Sequence, residues 1–209
     1  MQVPERSAER DAAIAAMLPH VPFDGWTLGA VRRGLLDIGA EPEDAVLLFP
    51  GLAADMIEAF CDWADRRMQE AAAELDPELR LHQRVRAVIA LRLEQNRPFK
   101  EAIRRALAVL AMPGHARLAA VCTARTVDAI WHAAGDQAAD FSWYTKRAIL
   151  AGVYGTTVLF WLRDSSEDDA ATLAFLDRRL AGVGWITSMR RRVEAMAGQR
   201  LRLWTPSKA

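Results

Sequence analysis

Two acid–histidine pairs are the residues of this sequence with the clearest potential for chemistry. Asp128 and His132 are four residues apart, as are Glu78 and His82, so each pair shares one face of a predicted helix. A carboxylate and an imidazole at this spacing can bind a metal ion, but two ligands are only half of a metal site. A salt bridge or a hydrogen bond along the helix is the interpretation that we favour for both pairs.

The sequence contains none of the common catalytic motifs, such as GxSxG, HExxH, a repeated ExxH or a glycine-rich phosphate loop. Cys61 and Cys122 occur singly, without CxxC or CxH spacing, which predicts reduced core cysteines and neither a zinc site nor a disulfide. We therefore predict a protein that is not an enzyme and that uses no metal or other cofactor. A cysteine–histidine nucleophile and a metalloenzyme based on Asp128 and His132 are the alternatives.

The overall composition favours one large helical domain. Apolar residues make up 52% of the 209 residues and charged residues 26%, a profile that fits neither a disordered chain nor a membrane-spanning one. The 27 basic residues balance the 27 acidic ones, so the chain as a whole has no attraction for nucleic acid or anionic lipid. The charges in residues 1–11 argue against a signal peptide, and we expect a cytosolic protein.

The C-terminal segment, residues 183–209, combines positive charge with apolar residues at helical spacing. Six basic residues in it face a single acidic one, Glu194. A basic amphipathic helix that carries tryptophans binds well at an anionic membrane surface. A surface helix packed on its own bundle is the alternative. The residues expected to contact the membrane are Trp185, Ile186, Met189, Arg190, Val193, Met196 and Trp204.

Residues 140–164 form the most apolar stretch of the chain. The fifteen residues 148–162 carry no charge and are apolar around most of a helical wheel, which predicts a central helix buried on most of its sides. Its uncharged part would span roughly 22 Å, which is short for a bilayer core of about 30 Å. Gly152 and Gly155 indicate either close packing against another helix or a ligand cavity.

Helix caps and breakers divide the rest of the chain into helices, with no alternating strand pattern and no repeat. Ser7 and Thr27 are N-cap residues for the first two helices, and Pro42 begins a short third one. These three helices have the layout of a helix-turn-helix unit. The predicted later helices are 52–74, 76–96, 98–111, 115–134, the helix capped by Asp140, and one that begins after Ser165 and Ser166. The fold class is therefore all-α, with a head at 1–51, a core at 52–182 and a tail at 183–209.

The helix-turn-helix head lacks the side chains that a DNA-binding domain needs. A recognition helix normally presents basic or amide side chains to phosphates and base edges. Here Glu41 precedes the third helix, which begins with Glu43 and Asp44 and contains no basic residue. These carboxylates would oppose contact with phosphates, so we predict no binding to nucleic acid.

A dense motif spans residues 135–179. Its parts are Gly135-Asp136-Gln137, Asp140-Phe141, Trp143-Tyr144-Thr145-Lys146-Arg147, Leu150-Ala151-Gly152-Val153-Tyr154, Trp161-Leu162, Asp164-Ser165-Ser166 and Phe175-Leu176-Asp177-Arg178-Arg179. This pattern resembles the signature of the coenzyme Q nine family, an accessory family of ubiquinone biosynthesis in mitochondria and alphaproteobacteria. Thinner similarity extends over most of the chain.

The resemblance implies a bundle of about ten helices like that of TetR regulators, with a degenerate head and a C-terminal amphipathic helix, and usually a homodimer. It implies that an isoprenoid, a quinone or a phospholipid takes the place of a regulator's inducer. The expected lining residues are Ile130, Trp131, Gly152, Gly155, Thr156 and Leu159.

The resemblance also implies a surface that binds the di-iron hydroxylase acting on demethoxyubiquinone. Carried over by position, this patch comprises Asp140, Trp143, Tyr144 and Arg147. An exposed Trp-Tyr pair beside an arginine is a suitable binding hot spot. A capping aspartate followed by two half-buried aromatic residues is the alternative.

We therefore predict a lipid-binding accessory protein of ubiquinone biosynthesis. It would lie in the cytoplasm, peripherally on the inner membrane, and would present a quinone precursor to the hydroxylase. The alternative is a TetR-type transcriptional regulator that responds to a lipid.

Overall fold

The computed structural model describes residues 4–135 and 143–182, and its regular structure within these ranges is helical, with no β-strand. The first nine helices are α1 (Ala8–Met17), α2 (Val21–Asp24), α3 (Leu28–Asp37), α4 (Ala45–Leu48), α5 (Leu52–Ala72), α6 (Leu81–Asn96), α7 (Lys100–Leu110), α8 (Ala116–Ala133) and α9 (Trp143–Trp161). Residues 170–182 form a further helix, α10. The predicted all-α class is confirmed.

The first four helices form the head, and its predicted caps are present. The Ser7 hydroxyl accepts a hydrogen bond from the backbone N–H of Arg10 at 3.1 Å, and the Thr27 hydroxyl accepts one from Ala30 at 3.3 Å. Helices α1 and α3 cross very closely at Gly34, where an added Cβ would lie 2.6 Å from the backbone of α1. A side chain at this position would force the two helices apart.

The helix in the middle of the fold is α5, so the prediction of a central α9 is wrong. Helix α5 packs against α1, α6, α7 and α8. Its Phe60 lies in the core shared with the head, and its Met68 lies in a second core shared with α6, α8 and α9. Helix α9 instead exposes Ala148, Gly152 and Leu159. Much of its apolar character comes from small residues, which gain little from burial and can face solvent.

One helix begins later than predicted. Asp76 was expected to cap α6, but its carboxylate accepts the backbone N–H of Glu78 at 2.9 Å within a turn. The helix itself begins at Leu81. The Asp-Pro sequence at this point therefore starts a turn, a role that aspartate fills as readily as a helix cap.

A tight corner joins α9 to α10. The Asp164 carboxylate accepts hydrogen bonds from the backbone N–H and the hydroxyl of Thr172, and from the N–H of Ser166. Although burial acts in the opposite direction, these bonds hold the pKa of Asp164 well below its usual range. Asp168 and Asp169 adopt left-handed φ values of 52° and 56°. The predicted Ser-Ser cap is therefore only part of the corner, because Asp164 accepts most of the hydrogen bonds.

Within the two described ranges, no single helix is long and apolar enough to cross a membrane. The pair Leu81–Leu110 and Pro113–Ala133 meets the length and composition criteria only when both parts are taken together across a 96° bend.

Candidate functional site

Five helices enclose a cavity of about 260 Å³, which we call the inner cavity. Each of α5, α6, α7, α8 and α9 contributes to its wall, through residues such as Phe60, Asn96, Leu107, Cys122 and Gly155. Most of the lining is apolar. Leu159 of α9 also lines the cavity and is 59% exposed, so it lies at the mouth.

One end of the inner cavity is polar. Arg92 of α6 is 4% exposed, and its Nη1 lies 2.6 Å from the Asp65 carboxylate. Its Nε donates a hydrogen bond to the Tyr154 hydroxyl at 2.8 Å, and the Thr126 hydroxyl donates one to Asp65 at 3.1 Å. Burial raises the pKa of Asp65 to about 6, although the charge of Arg92 opposes the shift. An ion pair so deep in an apolar wall is costly to keep unless both charges are matched.

Asn96 lies one helical turn beyond Arg92 and also lines the cavity. It is 6% exposed. Its side chain therefore adds a second polar residue of α6 to the otherwise mainly apolar lining.

Two free cysteines face each other across the cavity wall. Cys61 comes from α5 and Cys122 from α8. Their contact, followed by burial, raises the pKa of Cys61 well above its ordinary value, and the same contact lowers the pKa of Cys122. Cys122 is buried, and Cys61 is partly buried against the first core, so both lie in the interior where the sequence places them.

The six predicted lining residues are only partly brought together. Gly155 and Leu159 line the inner cavity. Ile130 is fully buried in the second core, and Trp131 packs at its edge. The other two lie away from the lining: Gly152 is exposed, and the Thr156 hydroxyl donates to the backbone carbonyl of Gly152 at 2.7 Å.

The polar residues of the cavity were not predicted from the sequence, although α6 carries a signal for them. Val85, Ile89, Arg92 and Asn96 recur at intervals of three or four residues, so all four lie on one helix face. All four are buried. An arginine and an asparagine on an otherwise apolar helix face predict that polar side chains lie inside the core.

A second concave surface lies outside the bundle, between α8 and α9, and we call it the α8–α9 groove. Its volume is about 680 Å³, and its floor consists mainly of alanines, including Ala120, Ala124 and Ala148. Tyr144 and Arg147 line it. Tyr144 is 79% exposed, and Arg147 Nη2 pairs with Asp128 at 2.6 Å. The structure thus places two of the four predicted partner residues on one open surface.

Several predicted residues fall where no side chain is described. For Trp143 only the helical backbone is described, at the start of α9. Asp140 and the seven predicted membrane residues, Trp185, Ile186, Met189, Arg190, Val193, Met196 and Trp204, lie outside the described ranges.

The predicted acid–histidine pair of α8 does not form as a pair. Asp128 bonds to Arg147 instead of His132. Among the side chains that the structure describes, no three His, Cys, Asp or Glu residues are close enough together to hold a metal ion.

Comparison with solved structures gives the fold relationship. A TetR transcriptional regulator from Nitrosomonas europaea superposes with a TM-score of 0.67 over 86% of this chain and 99% of that one, at 24% sequence identity. At this level of identity the similarity establishes the fold alone.

Sequence comparison identifies the family. The COQ9 family model matches residues 116–187. Ubiquinone biosynthesis protein COQ9, mitochondrial, is 34% identical over 175 residues in Rattus norvegicus and 33% identical over 175 residues in Homo sapiens, in both cases over 80% of this chain. The Drosophila melanogaster protein of the same name is 35% identical over 90% of this chain. The chain spans 56%, 55% and 59% of these three relatives. It belongs to the COQ9 family.

Proposed function

We propose that this protein binds a polyprenyl lipid of ubiquinone biosynthesis in the inner cavity and presents it to the demethoxyubiquinone hydroxylase. The inner cavity is the observation that carries the proposal, because a largely apolar space of about 260 Å³ between five helices suits an apolar ligand. The ubiquinone biosynthesis proteins with which the chain shares its family support the choice of pathway.

The physical benefit of such a protein is access to the substrate. A polyprenyl chain has a negligible concentration in water, and each CH2 group buried in the cavity stabilises the bound state by about 0.8 kcal/mol. The protein would carry the lipid without transforming it, so the role is that of an accessory protein and not of an enzyme.

Native mass spectrometry of the protein purified without detergent tests this proposal. We expect a bound mass that organic extraction releases as a quinone, an isoprenoid or a phospholipid. Protein that is empty when purified, and that also fails to bind a short-chain prenyl quinone added afterwards, would refute lipid binding.

The alternative of a lipid-responsive transcriptional regulator has only the fold in its favour. Glu43 and Asp44 are exposed at the start of the recognition helix, and the exposed side chains that follow include Val46 at 47% and Leu47 at 79%. None of these can neutralise a phosphate. Salt-dependent binding to the promoter of its own gene would favour the regulator.

We assign the binding of the hydroxylase to the α8–α9 groove. Its alanine floor lets a partner helix approach closely, and its rim carries the exposed Tyr144 next to the Arg147–Asp128 ion pair. Tyrosine and arginine are among the residues that most often contribute a large share of the binding energy of an interface.

Replacing Tyr144 by alanine should therefore weaken binding to the hydroxylase by about tenfold or more, which corresponds to a loss of about 1.4 kcal/mol. Biolayer interferometry with the immobilised hydroxylase measures this. Arg163→Ala is the matched control, because Arg163 is also exposed but follows the other end of α9. If both variants bind like the unaltered protein, the groove is not the hydroxylase site.

The basic C-terminal segment is the part that we propose to contact the membrane. A chain ending at Gly182 should lose most of its flotation with vesicles of phosphatidylethanolamine and phosphatidylglycerol, because six basic residues and the apolar positions between them are removed. Neutral phosphatidylcholine vesicles are the control for the electrostatic part. Flotation equal to that of the full chain would contradict a membrane role for this segment.

The proposal also includes a homodimer, the usual state implied by the family resemblance. Sedimentation equilibrium should give about twice the chain mass of 23.2 kDa. A mass of one chain at micromolar concentration would contradict the dimer and would leave lipid binding unaffected.

A further inference from the structure

The head exposes a cluster of apolar side chains around α4. Five of the ten large apolar side chains that are exposed in the described structure lie within residues 36–52, and Leu47 is the most exposed of them at 79%. Helices α3 and α4 pack against each other, which brings this segment together on the head. We call it the head patch, and its apolar members are Leu36, Ile38, Val46, Leu47 and Leu52. Clustered apolar side chains at a surface are typical of a binding site.

The head patch is also acidic. Four exposed carboxylates lie among its apolar side chains, those of Asp37, Glu41, Glu43 and Asp44. The chain has no Lys, Arg or His between Arg33 and Arg66. Asp37 pairs with His20 at 2.6 Å, whereas the other three carboxylates have no ion-pair partner among the residues that the structure describes. The negative charge of the head patch is therefore largely uncompensated.

This charge excludes several occupants of an apolar surface. Anionic lipid and nucleic acid both repel carboxylates. The head of a second copy presents the same acidic face, and like charges brought together in an interface cost several kcal/mol. The occupant that fits is a segment that is both apolar and basic.

The chain itself contains such a segment, residues 183–209. Six basic residues and one acidic residue give it a net charge of +5, and its apolar residues recur at helical spacing. An extended segment of this length spans up to roughly 90 Å, and a domain of this size is about 45 Å across. The segment can therefore reach the head from the end of α10.

We propose that residues 183–209 dock on the head patch of their own chain when the protein is away from a membrane. Their basic side chains pair with Glu41, Glu43 and Asp44, and their apolar side chains cover Leu47 and its neighbours. Docking on the head and contact with the membrane then compete for the same segment, so the head limits membrane binding. The docking does not depend on lipid binding in the inner cavity, whereas the competition rests on the proposed membrane contact.

Photo-crosslinking of the full chain without vesicles tests the contact. p-Benzoylphenylalanine in place of Leu47 should crosslink to peptides from residues 183–209, and less so at high salt because the ion pairs are exposed. The same probe in place of Met112, which is 50% exposed outside the head, is the matched control and should not reach this segment. A crosslink within one chain keeps the mass of a single chain under denaturing conditions, whereas a crosslink between two chains doubles it.

A serine variant tests the competition in the full chain. Leu47→Ser should raise the affinity for vesicles of phosphatidylethanolamine and phosphatidylglycerol by about threefold or more, because weaker docking leaves more of the segment available. The variant loses an apolar side chain without a change in charge, so direct contact of the head with the membrane would give the opposite result. Met112→Ser is the control and should leave the affinity unchanged.

Each outcome has a distinct meaning. Crosslinks from position 47 to residues 183–209 of the same chain support the docking, and tighter vesicle binding by Leu47→Ser supports the competition. Crosslinks found only between two chains would overturn docking within the chain and assign the head patch to the segment of a second copy. Crosslinks to other regions, or equal yields from positions 47 and 112, would overturn the docking altogether. If the full chain binds no vesicles, the proposed membrane contact fails and the crosslinks alone decide the docking.

Discussion

Replacing Arg92 by methionine should lower the free energy of unfolding by about 3 kcal/mol at pH 8, the typical effect of removing one partner of a buried ion pair. Asp65 would be left enclosed without its counter-charge, because it is 6% exposed and Arg92 is its ion-pair partner at 2.6 Å. Urea denaturation followed by circular dichroism measures the change.

The same variant should be almost as stable as the unaltered protein at pH 5. Burial already raises the pKa of Asp65 to about 6 with Arg92 present, and removal of Arg92 should raise this pKa further. Since the folded-state pKa lies above the unfolded value of about 3.9, stability from Asp65 is fully present below about pH 4 and is lost as the pH rises through the folded pKa. In the Arg92→Met variant the folded-state pKa of Asp65 is higher, so the free energy of unfolding continues to decrease to higher pH than in the unaltered protein.

The double variant Asp65→Leu with Arg92→Met is the control for this prediction. It removes both charges, and a buried ion pair replaced by apolar side chains of similar volume often leaves stability unchanged or higher. Its unfolding free energy should be close to that of the unaltered protein and should lack the decrease between pH 5 and pH 8. An Arg92→Met variant with the same stability deficit at both pH values would show that Asp65 is not the group responsible.

Replacing Gly155 by leucine should reduce lipid affinity by tenfold or more without destabilising the protein. A Cβ at Gly155 meets no atom within 4 Å, and the residue lines the inner cavity, so the new side chain would extend into the space proposed for the lipid. Leucine also has a higher helix propensity than glycine, by up to about 1 kcal/mol. Titration with 2-geranyl-1,4-benzoquinone and a thermal melt measure the two effects.

The matched control is Gly152→Leu, one turn earlier on α9. Gly152 also has no atom within 4 Å of an added Cβ, but it is exposed and does not line the cavity. This variant gains the same helix propensity and should keep its lipid affinity. If both variants keep the affinity of the unaltered protein, the lipid does not occupy the inner cavity. If both lose affinity to the same extent, the cause is an effect on α9 as a whole.

The two predictions concern two features of the inner cavity. Gly155 keeps part of the cavity open, and the Arg92–Asp65 pair gives it a polar end that an apolar core would not need. The buried ion pair is a poor source of stability compared with apolar side chains. Its presence in the wall is consistent with the lipid site that we propose for the inner cavity.

Local features of the sequence were sufficient to predict most of the helices. Ser7 and Thr27 cap their helices as expected, because a cap depends only on residues within one turn. The 3.6-residue periodicity predicted the buried face of α5 with Met56, Phe60 and Met68. The motif at 135–179 predicted the family.

Only the tertiary structure decided which helix faces pack against each other. The apolar stretch 148–162 could be central or peripheral, and the packing of α5 against four other helices placed α9 at the edge. For the same reason Gly155 lines the cavity while Gly152, one turn away, faces outward. Asp65, Arg92 and Tyr154 are far apart in sequence, so no local pattern could pair them. Their contact depends on how α5, α6 and α9 pack, and side-chain periodicity specifies the face of a helix but not its neighbour.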